Sequence, residues 1–400
     1  MSRRLAVIDG LRLVAALAVL AFHYTVAWRI DGVRLPEHFL PSTVHVTIYG
    51  FLGVELFFLI SGFVICMSSW GRTLGQFFAS RVSRLFPAYW AAVVLTGLVA
   101  MLFPLRGGVT DGHRPSVLDV VVNLTMLQQP LGHHSVDGVY WTLFIELKFY
   151  LIMALVLARG GLTYRRAVLL CAVWMTAAVL VPSLGSPALN ALVISDFAPY
   201  FIGGIALYLI NRFGPAPLLF GITGLAWLVC LARVDDRMHD LGSDVPPWPG
   251  FVIITLSYGV LLLVALGYTE RIQWRWLTVA GALTYPLYLL HSRIGHTVIR
   301  AAYERLTVPV WVLITVTTLL MLGLAGLVHR WVERPLGRRL RDLVLTTPSP
   351  VRTPAVPMQP LRPRAQHIET PPVRHDSLIL TIPHRTAAGP GPHPSAPPGR

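Results

Sequence analysis

The chain has 400 residues, 54% of them hydrophobic and only 13% charged. With a mean hydropathy of +0.61, this composition excludes an ordinary soluble enzyme and points to an integral membrane protein. The formal charge of +14 is almost all arginine, Lys148 being the only lysine; it is spread over short loops and a proline-rich tail, which suits anionic lipid headgroups rather than nucleic acid. Cys66, Cys171 and Cys230 lie in apolar runs without paired spacing, so neither a disulfide framework nor a metal site is expected.

A bilayer core of about 30 Å is crossed by about 20 apolar residues in a helix. Ten segments answer that need, near 5–27, 46–68, 86–104, 140–158, 166–182, 192–210, 216–232, 250–268, 276–295 and 308–330. The expected fold is all-α, an integral membrane bundle of about ten transmembrane helices. The start, Met1-Ser2-Arg3-Arg4 and then an apolar run, imitates a signal peptide; Asp9 and Arg12 inside the run favour an uncleaved first helix. Loops on one side carry Arg72, Arg81 and Arg84, then Arg159, Arg165 and Arg166, then Arg212, then Arg271 and Arg275, with Arg330 to Arg341 after the last helix. The opposite loops hold Asp31, Glu37, Asp111, Asp235, Asp236, Asp240 and Asp244. The arginine bias places both termini in the cytoplasm and the chain, multi-pass, in the inner (plasma) membrane.

Helix one carries the most telling charges. Arg12 and His23 are eleven residues apart. On an α-helix that is within roughly 20° of three full turns, so both side chains point the same way, about 16 Å apart along the axis. Asp9 is one turn before Arg12, in reach of the guanidinium. Ionisable groups at membrane depth usually face a cavity and have a function, although a charged helix end and a histidine bonded to a neighbour would give the same pattern. Glu55 on helix two needs a partner or a proton, and Ser61-Gly62 offers a small surface for another helix. Arg81 and Arg84 share a face just before helix three; they suit either a phosphate-bearing ligand or topology anchoring.

The loop 105–139 is long and includes a partly apolar stretch, Val117 to Leu127, that fits a re-entrant or interfacial helix. His113, His133 and His134 lie in this loop; a metal site of His133, His134 and Asp137 is less favoured than solvated side chains. Helix four opens with Trp141 and carries Glu146 and Tyr150, an aromatic face and a carboxylate that suit a polyol, or else two interface anchors. Helix nine holds Pro286, which frees a backbone carbonyl, and His291, a second histidine at depth. Glu333-Arg334-Pro335 reads as a clamp at the end of the bundle. Residues 1–345 form the membrane domain; residues 346–400, crowded with Pro, Arg, Thr and Ser, read as a disordered cytoplasmic tail. No soluble nucleophile, zinc-protease or P-loop motif occurs, which leaves His23 and His291 for proton transfer near neutrality.

The motifs together resemble acyltransferase family 3, the integral membrane O-acyltransferases. They are Asp9-Gly10-Leu11-Arg12 with His23, Gly53-Val54-Glu55-Leu56-Phe57-Phe58 with Ser61-Gly62-Phe63, Arg81-x-x-Arg84-x-x-Pro87-Ala88-Tyr89-Trp90, Trp141-Thr142-Leu143-x-x-Glu146 with Tyr150, Tyr285-x-Leu287-Tyr288-Leu289-x-His291 and Glu333-Arg334-Pro335. They follow in order over about residues 5 to 340. The resemblance implies transfer of an acyl group, often acetyl, from cytoplasmic acyl-CoA to a hydroxyl of a carbohydrate or glycosylated acceptor, with no bound cofactor. It marks Arg12 and His23, with Arg81 and Arg84 as further candidates. Joined to the reading of the residues themselves, it gives His23, Arg12 and Asp9 as the expected catalytic residues and Arg81, Arg84, Glu55, Trp141, Glu146, Tyr150, Tyr288 and His291 as the expected substrate-binding ones. Family members often have Pro two residues after the late histidine, where this chain has Arg293, and some add an esterase-like domain, which implies a separate partner for any acyl relay here. The rival reading of the same intramembrane charges is a proton-coupled transporter of a small polar solute; a third is a membrane scaffold acting through its tail.

Overall fold

Helices stand where the apolar runs stood in the computed structural model, which describes residues 5–105, 114–239 and 245–346. Asp111, His113, Asp240, Asp244 and the tail from Thr347 lie outside the described residues, as do residues 1–4. Ten long helices carry the fold: α1 Ala6–Thr25, α2 Gly53–Ser69, α3 Leu74–Leu102, α4 Trp141–Ala158, α5 Tyr164–Leu180, α6 Ala198–Phe213, α7 Pro217–Ala232, α8 Trp248–Ala265, α9 Arg275–Tyr303 and α10 Val310–Val328. Among the described residues, eight spans are long and apolar enough to cross a membrane by length and composition. The two other helices of the ten are α7, only 16 residues long, and α9, which buries His291, Ser292, Arg293 and His296. A helix that lines a polar site loses the hydropathy signal of a span without losing its length.

α6 is buried all the way from Ala198 to Ile210, as expected of a helix that is apolar all round and sits at the centre of a bundle. It meets α2 at two facing glycines. A Cβ on Gly62 would collide with the carbonyl of Phe201, and one on Gly204 with the carbonyl of Leu59, so the two backbones touch. α1 and α9 run in parallel, with Gly10 against Leu277 and Tyr24 against Gly295. The outward faces of α3, α4 and α5 present Val94, Leu98, Leu102, Leu151, Leu155, Leu169 and Val173, the apolar surface that lipid would cover.

α3 starts twelve residues before the expected 86, so Arg81 and Arg84 are helical rather than in a loop. Thr73 and Gln76 form a capping box that begins it. Pro87 sits inside the helix and withdraws the hydrogen bond owed to the carbonyl of Ser83. Gly337, in the helix Arg334–Thr346 that follows α10, packs against that carbonyl: a Cβ there would lie 2.7 Å from it.

The segment before α4 packs on α3. Helix Val117–Asn123, opened by a Ser116–Asp119 capping box, packs Val120 on Gly97 of α3. Tyr89 then donates to the carbonyl of Asn123 at 2.7 Å, and Trp90 to that of Leu124 at 3.0 Å. Asn123 ties the return of the chain by donating to the carbonyl of His134 and accepting from the amide of Val136. Asp137 is 0% exposed and accepts from the amides of Val139 and Arg293, which corrects its reading as a solvated loop residue. His133 pairs with Asp119 at 2.9 Å instead of joining Asp137.

Candidate active site

His23 at the end of α1 and His291 and His296 in the second half of α9 form one hydrogen-bonded cluster. His291 Nδ1 lies 2.8 Å from the carbonyl of Tyr288, so it must carry a proton and donate, which leaves Nε2 as the acceptor. His23 Nδ1 lies 2.9 Å from the carbonyl of Val19 and 3.2 Å from His291 Nε2. Both of those are acceptors, so His23 Nδ1 carries the proton. The neutral tautomer assigned by this network leaves the lone pair of His23 on Nε2, which has no hydrogen-bond partner among the described residues. His23 itself is half-buried, so the ring is reachable.

The end of α1 is fixed from α9. The amide of Ala27 bonds the carbonyl of Phe22 and thereby leaves that of His23 without its helical donor. His296 Nε2 supplies one at 3.0 Å, while its ring stacks on Trp28 at 4.2 Å. Tyr24 donates to the carbonyl of His291 at 2.8 Å, and Gly295 leaves room for its hydroxyl. His296 was not singled out in the sequence; its signal is a position five residues after His291, on a helix that also carries Arg293.

At the opposite end of α1, Arg12 shares one space with groups from two other helices, Arg84 of α3 and Glu146 and Tyr150 of α4. Asp9 lies against Gly281 of α9, where a Cβ would be 2.5 Å from its own. Ser61 donates to Glu146 at 2.9 Å, and Tyr150 lines the same gap. The Nε of Arg12 is buried and has no partner among the described residues. A desolvated guanidinium N–H of this kind is suited to an anionic ligand.

Three spaces share Arg12 and Tyr285. A cleft of about 500 Å³ is lined by Asp9, Arg84, His329 and Glu333. A gap of about 20 Å³ follows among Ser61, Arg84, Glu146 and Tyr150. A narrow cavity of about 50 Å³ then continues between Phe57, Thr142 and Tyr288. Tyr288, bonded to Thr142 at 2.8 Å, is one helical turn before His291, so the line of spaces runs from the cleft towards the histidines. The cleft is shaped by a π-helical turn, His329–Glu333, closed by a 2.8 Å His329–Glu333 contact; Glu333 therefore faces the cleft. Ala282, whose carbonyl Pro286 releases, lines it too.

The structure thus gathers Arg12, Arg81, Arg84, Glu146, Tyr150 and Tyr288 along one path and sets His23 and His291 beyond its end. Arg81 is buried in the wall of the gap, over the rings of Phe77 and Tyr150. Glu55 and Trp141 stand apart. Glu55 is 1% exposed and pairs with Arg237 at 3.2 Å, a partner on the short helix Val234–His239 that follows α7. Trp141 packs on Phe197 and does not line the path. Tyr285, Thr142 and Ser61 do line it, and were visible in the sequence only as motif letters.

Buried arginines and a carboxylate feeding a histidine pair, inside a multi-pass helical bundle, define a membrane-embedded enzyme. The acyltransferase domain family (acyltransferase family 3) matches residues 5–330, and the chain belongs to that family as a membrane O-acyltransferase. It is 27% identical over 388 residues to the acyltransferase MdmB of Streptomyces mycarofaciens, covering 87% of this chain and 96% of that one. It is 27% identical over 329 residues to the exopolysaccharide production protein ExoZ of Rhizobium meliloti, covering 76% and 95%. The O-acetyltransferase OatA of Staphylococcus aureus is 24% identical over 383 residues, 84% of this chain but 58% of its own length. No solved structure matches.

Proposed function

We propose that the protein transfers an acyl group, acetyl being the favoured one, from acyl-CoA in the cytoplasm to a hydroxyl of a carbohydrate or glycosylated acceptor. The observation that carries this reading is the His23 tautomer: an unpartnered Nε2 lone pair, backed by His291, beyond the end of a path that begins at arginines. Relatives named for exopolysaccharide production and O-acetylation support the acceptor and acyl classes. In this reading the anionic part of the donor sits in the cleft at Arg84 and Arg12, and the arm bearing the thioester extends past Ser61, Glu146 and Tyr288. His23 Nε2 takes the proton of the acceptor hydroxyl as its oxygen attacks the thioester carbon. The C–S bond breaks, and the proton returns from His23 to the departing CoA sulfur. His291 Nε2, accepting from Nδ1–H of His23, steadies the imidazolium between those events, the part a carboxylate takes in a triad. Arg12 orients the donor, Asp9 and Glu146 hold its surroundings, and Trp141 and Glu55 act as packing and pairing groups. Residues 1–345 carry catalysis; residues 346–400 are a cytoplasmic tail, and the protein resides in the inner (plasma) membrane.

Membrane vesicles test the donor side. With acetyl-CoA as probe, vesicles exposing the cytoplasmic face release CoA thiol when they contain the protein, and sealed vesicles of the opposite orientation do not. Equal release from both orientations would place the donor site on the wrong face; no release from either would remove acetyl-CoA as donor.

A further inference from the structure

α3 and α4 part on the side away from the histidines and leave a groove of about 850 Å³, closed at its back by the short helix Pro187–Val193. Its walls are mostly apolar: Phe78, Val82 and Phe86 from α3, Phe144 and Leu151 from α4, and Leu192. Phe78, Leu151 and Leu192 are exposed, so the groove opens sideways to the surroundings of the bundle. Two cations interrupt it, Arg81 and Lys148. Lys148 donates to the carbonyl of Ala191 at 2.8 Å and lies over the ring of Phe144. Arg81 is 6% exposed; it reaches Ser80 Oγ at 3.0 Å, but its Nε is buried with no partner among the described residues.

The depth of Arg81 is informative. At the other end of α3, Leu98, Leu102 and Phe103 are exposed and apolar, which marks lipid-facing surface up to that end. About 20 residues at 1.5 Å each span a hydrocarbon core of about 30 Å. Counting back from Leu102 sets the other boundary near Val82, one residue from Arg81. An arginine at that level, beside an apolar groove that continues into the core, meets the phosphate of a lipid whose chain occupies the groove.

We infer that this groove holds a phosphate-bearing lipid, its phosphate at Arg81 and its chain between α3 and α4. Within the Arg81-x-x-Arg84 pair, Arg84 lines the cleft, while Arg81 stands in the wall between the gap of the path and the groove and meets the lipid phosphate on the groove side. The groove lies across that wall from the acyl-transfer path, and its test needs neither donor nor acceptor.

The full-length protein is reconstituted in phosphatidylcholine nanodiscs doped with phosphatidic acid or with diacylglycerol of identical chains. Lipid retained after detergent extraction is read by native mass spectrometry, with inorganic phosphate as competitor. Phosphatidic acid is expected to be retained about tenfold or more over diacylglycerol, the size of one charged hydrogen bond. Arg81→Gln removes that preference, and Ala191→Trp, at an exposed position on the groove wall, lowers retention of both lipids. Inorganic phosphate does not displace the lipid if the chain contributes. Equal retention of the two lipids by the wild type overturns the inference, as does retention untouched by both variants or full displacement by inorganic phosphate.

Discussion

At the scale of single residues, the account turns on which nitrogen of His23 holds the proton. His291 enforces Nδ1–H on His23 by presenting only a lone pair to it. His291→Ala is therefore expected to lower kcat while leaving KM for the donor nearly unchanged, since the ring is set beyond the path. His291→Gln, whose side-chain oxygen can accept from the same N–H, is expected to recover part of the loss. Steady-state kinetics on the two variants checks this; a rise in KM with unaltered kcat would make His291 a binding residue instead. Arg12→Lys should not rescue Arg12→Ala, because an ammonium cannot reproduce a planar fork among Arg84, Glu146 and Tyr150. Donor titration of both variants decides the point.

At the scale of elements, the helix contacts make a prediction of their own. Gly62→Ala and Gly204→Ala each force a methyl into a backbone carbonyl across the α2–α6 contact. Each is expected to cost about 1–3 kcal/mol, seen as a lower Tm of the purified protein in detergent. An unaltered Tm would mean that the two helices can move apart freely. In the Asp31–Arg34 turn, between α1 and the short helix Pro41–Thr47, the Arg34 amide, together with the Arg34 side chain and the Val33 amide, holds the Asp31 carboxyl below the usual carboxylate range. A depressed folded pKa contributes stability above the unfolded value and loses it only as pH falls through the folded one. The turn is thus expected to keep its amide protection at the ordinary carboxylate pKa of about 4 and to lose it at neutral pH in Asp31→Ala, which has no side-chain acceptor, by hydrogen exchange at Val33 and Arg34. The same elements show where sequence reasoning reached and where it stopped. Apolar runs reveal spans because lipid demands them, so all ten helices were legible. The start of α3 was not, since Pro87 reads as a helix beginning and the carbonyl it frees is answered by Gly337, some 250 residues on. Glu55 announced its need for a partner, but Arg237 lay on a short helix that no periodicity ties to α2. Arg12 and His23 were legible as a pair because helical geometry alone aligns them; the His23–His291–His296 cluster needed the parallel packing of α1 on α9.

At the scale of the molecule, the proposed donor path and the proposed lipid groove share one wall, in which Arg81 and Tyr150 stand. The site residues proposed for transfer all precede residue 347, so deleting residues 347–400 is expected to leave transfer rates within about twofold; a large loss would revive the scaffold reading. Enzyme and carrier differ in one product, free CoA thiol. The most direct measurement is therefore the rate of CoA release from acetyl-CoA by folded, full-length protein in nanodiscs, wild type against His23→Ala. The account expects release by the wild type and a loss of roughly 10²–10⁴-fold in the variant, the share a positioned general base supplies. Undiminished release by a folded His23→Ala protein would contradict it.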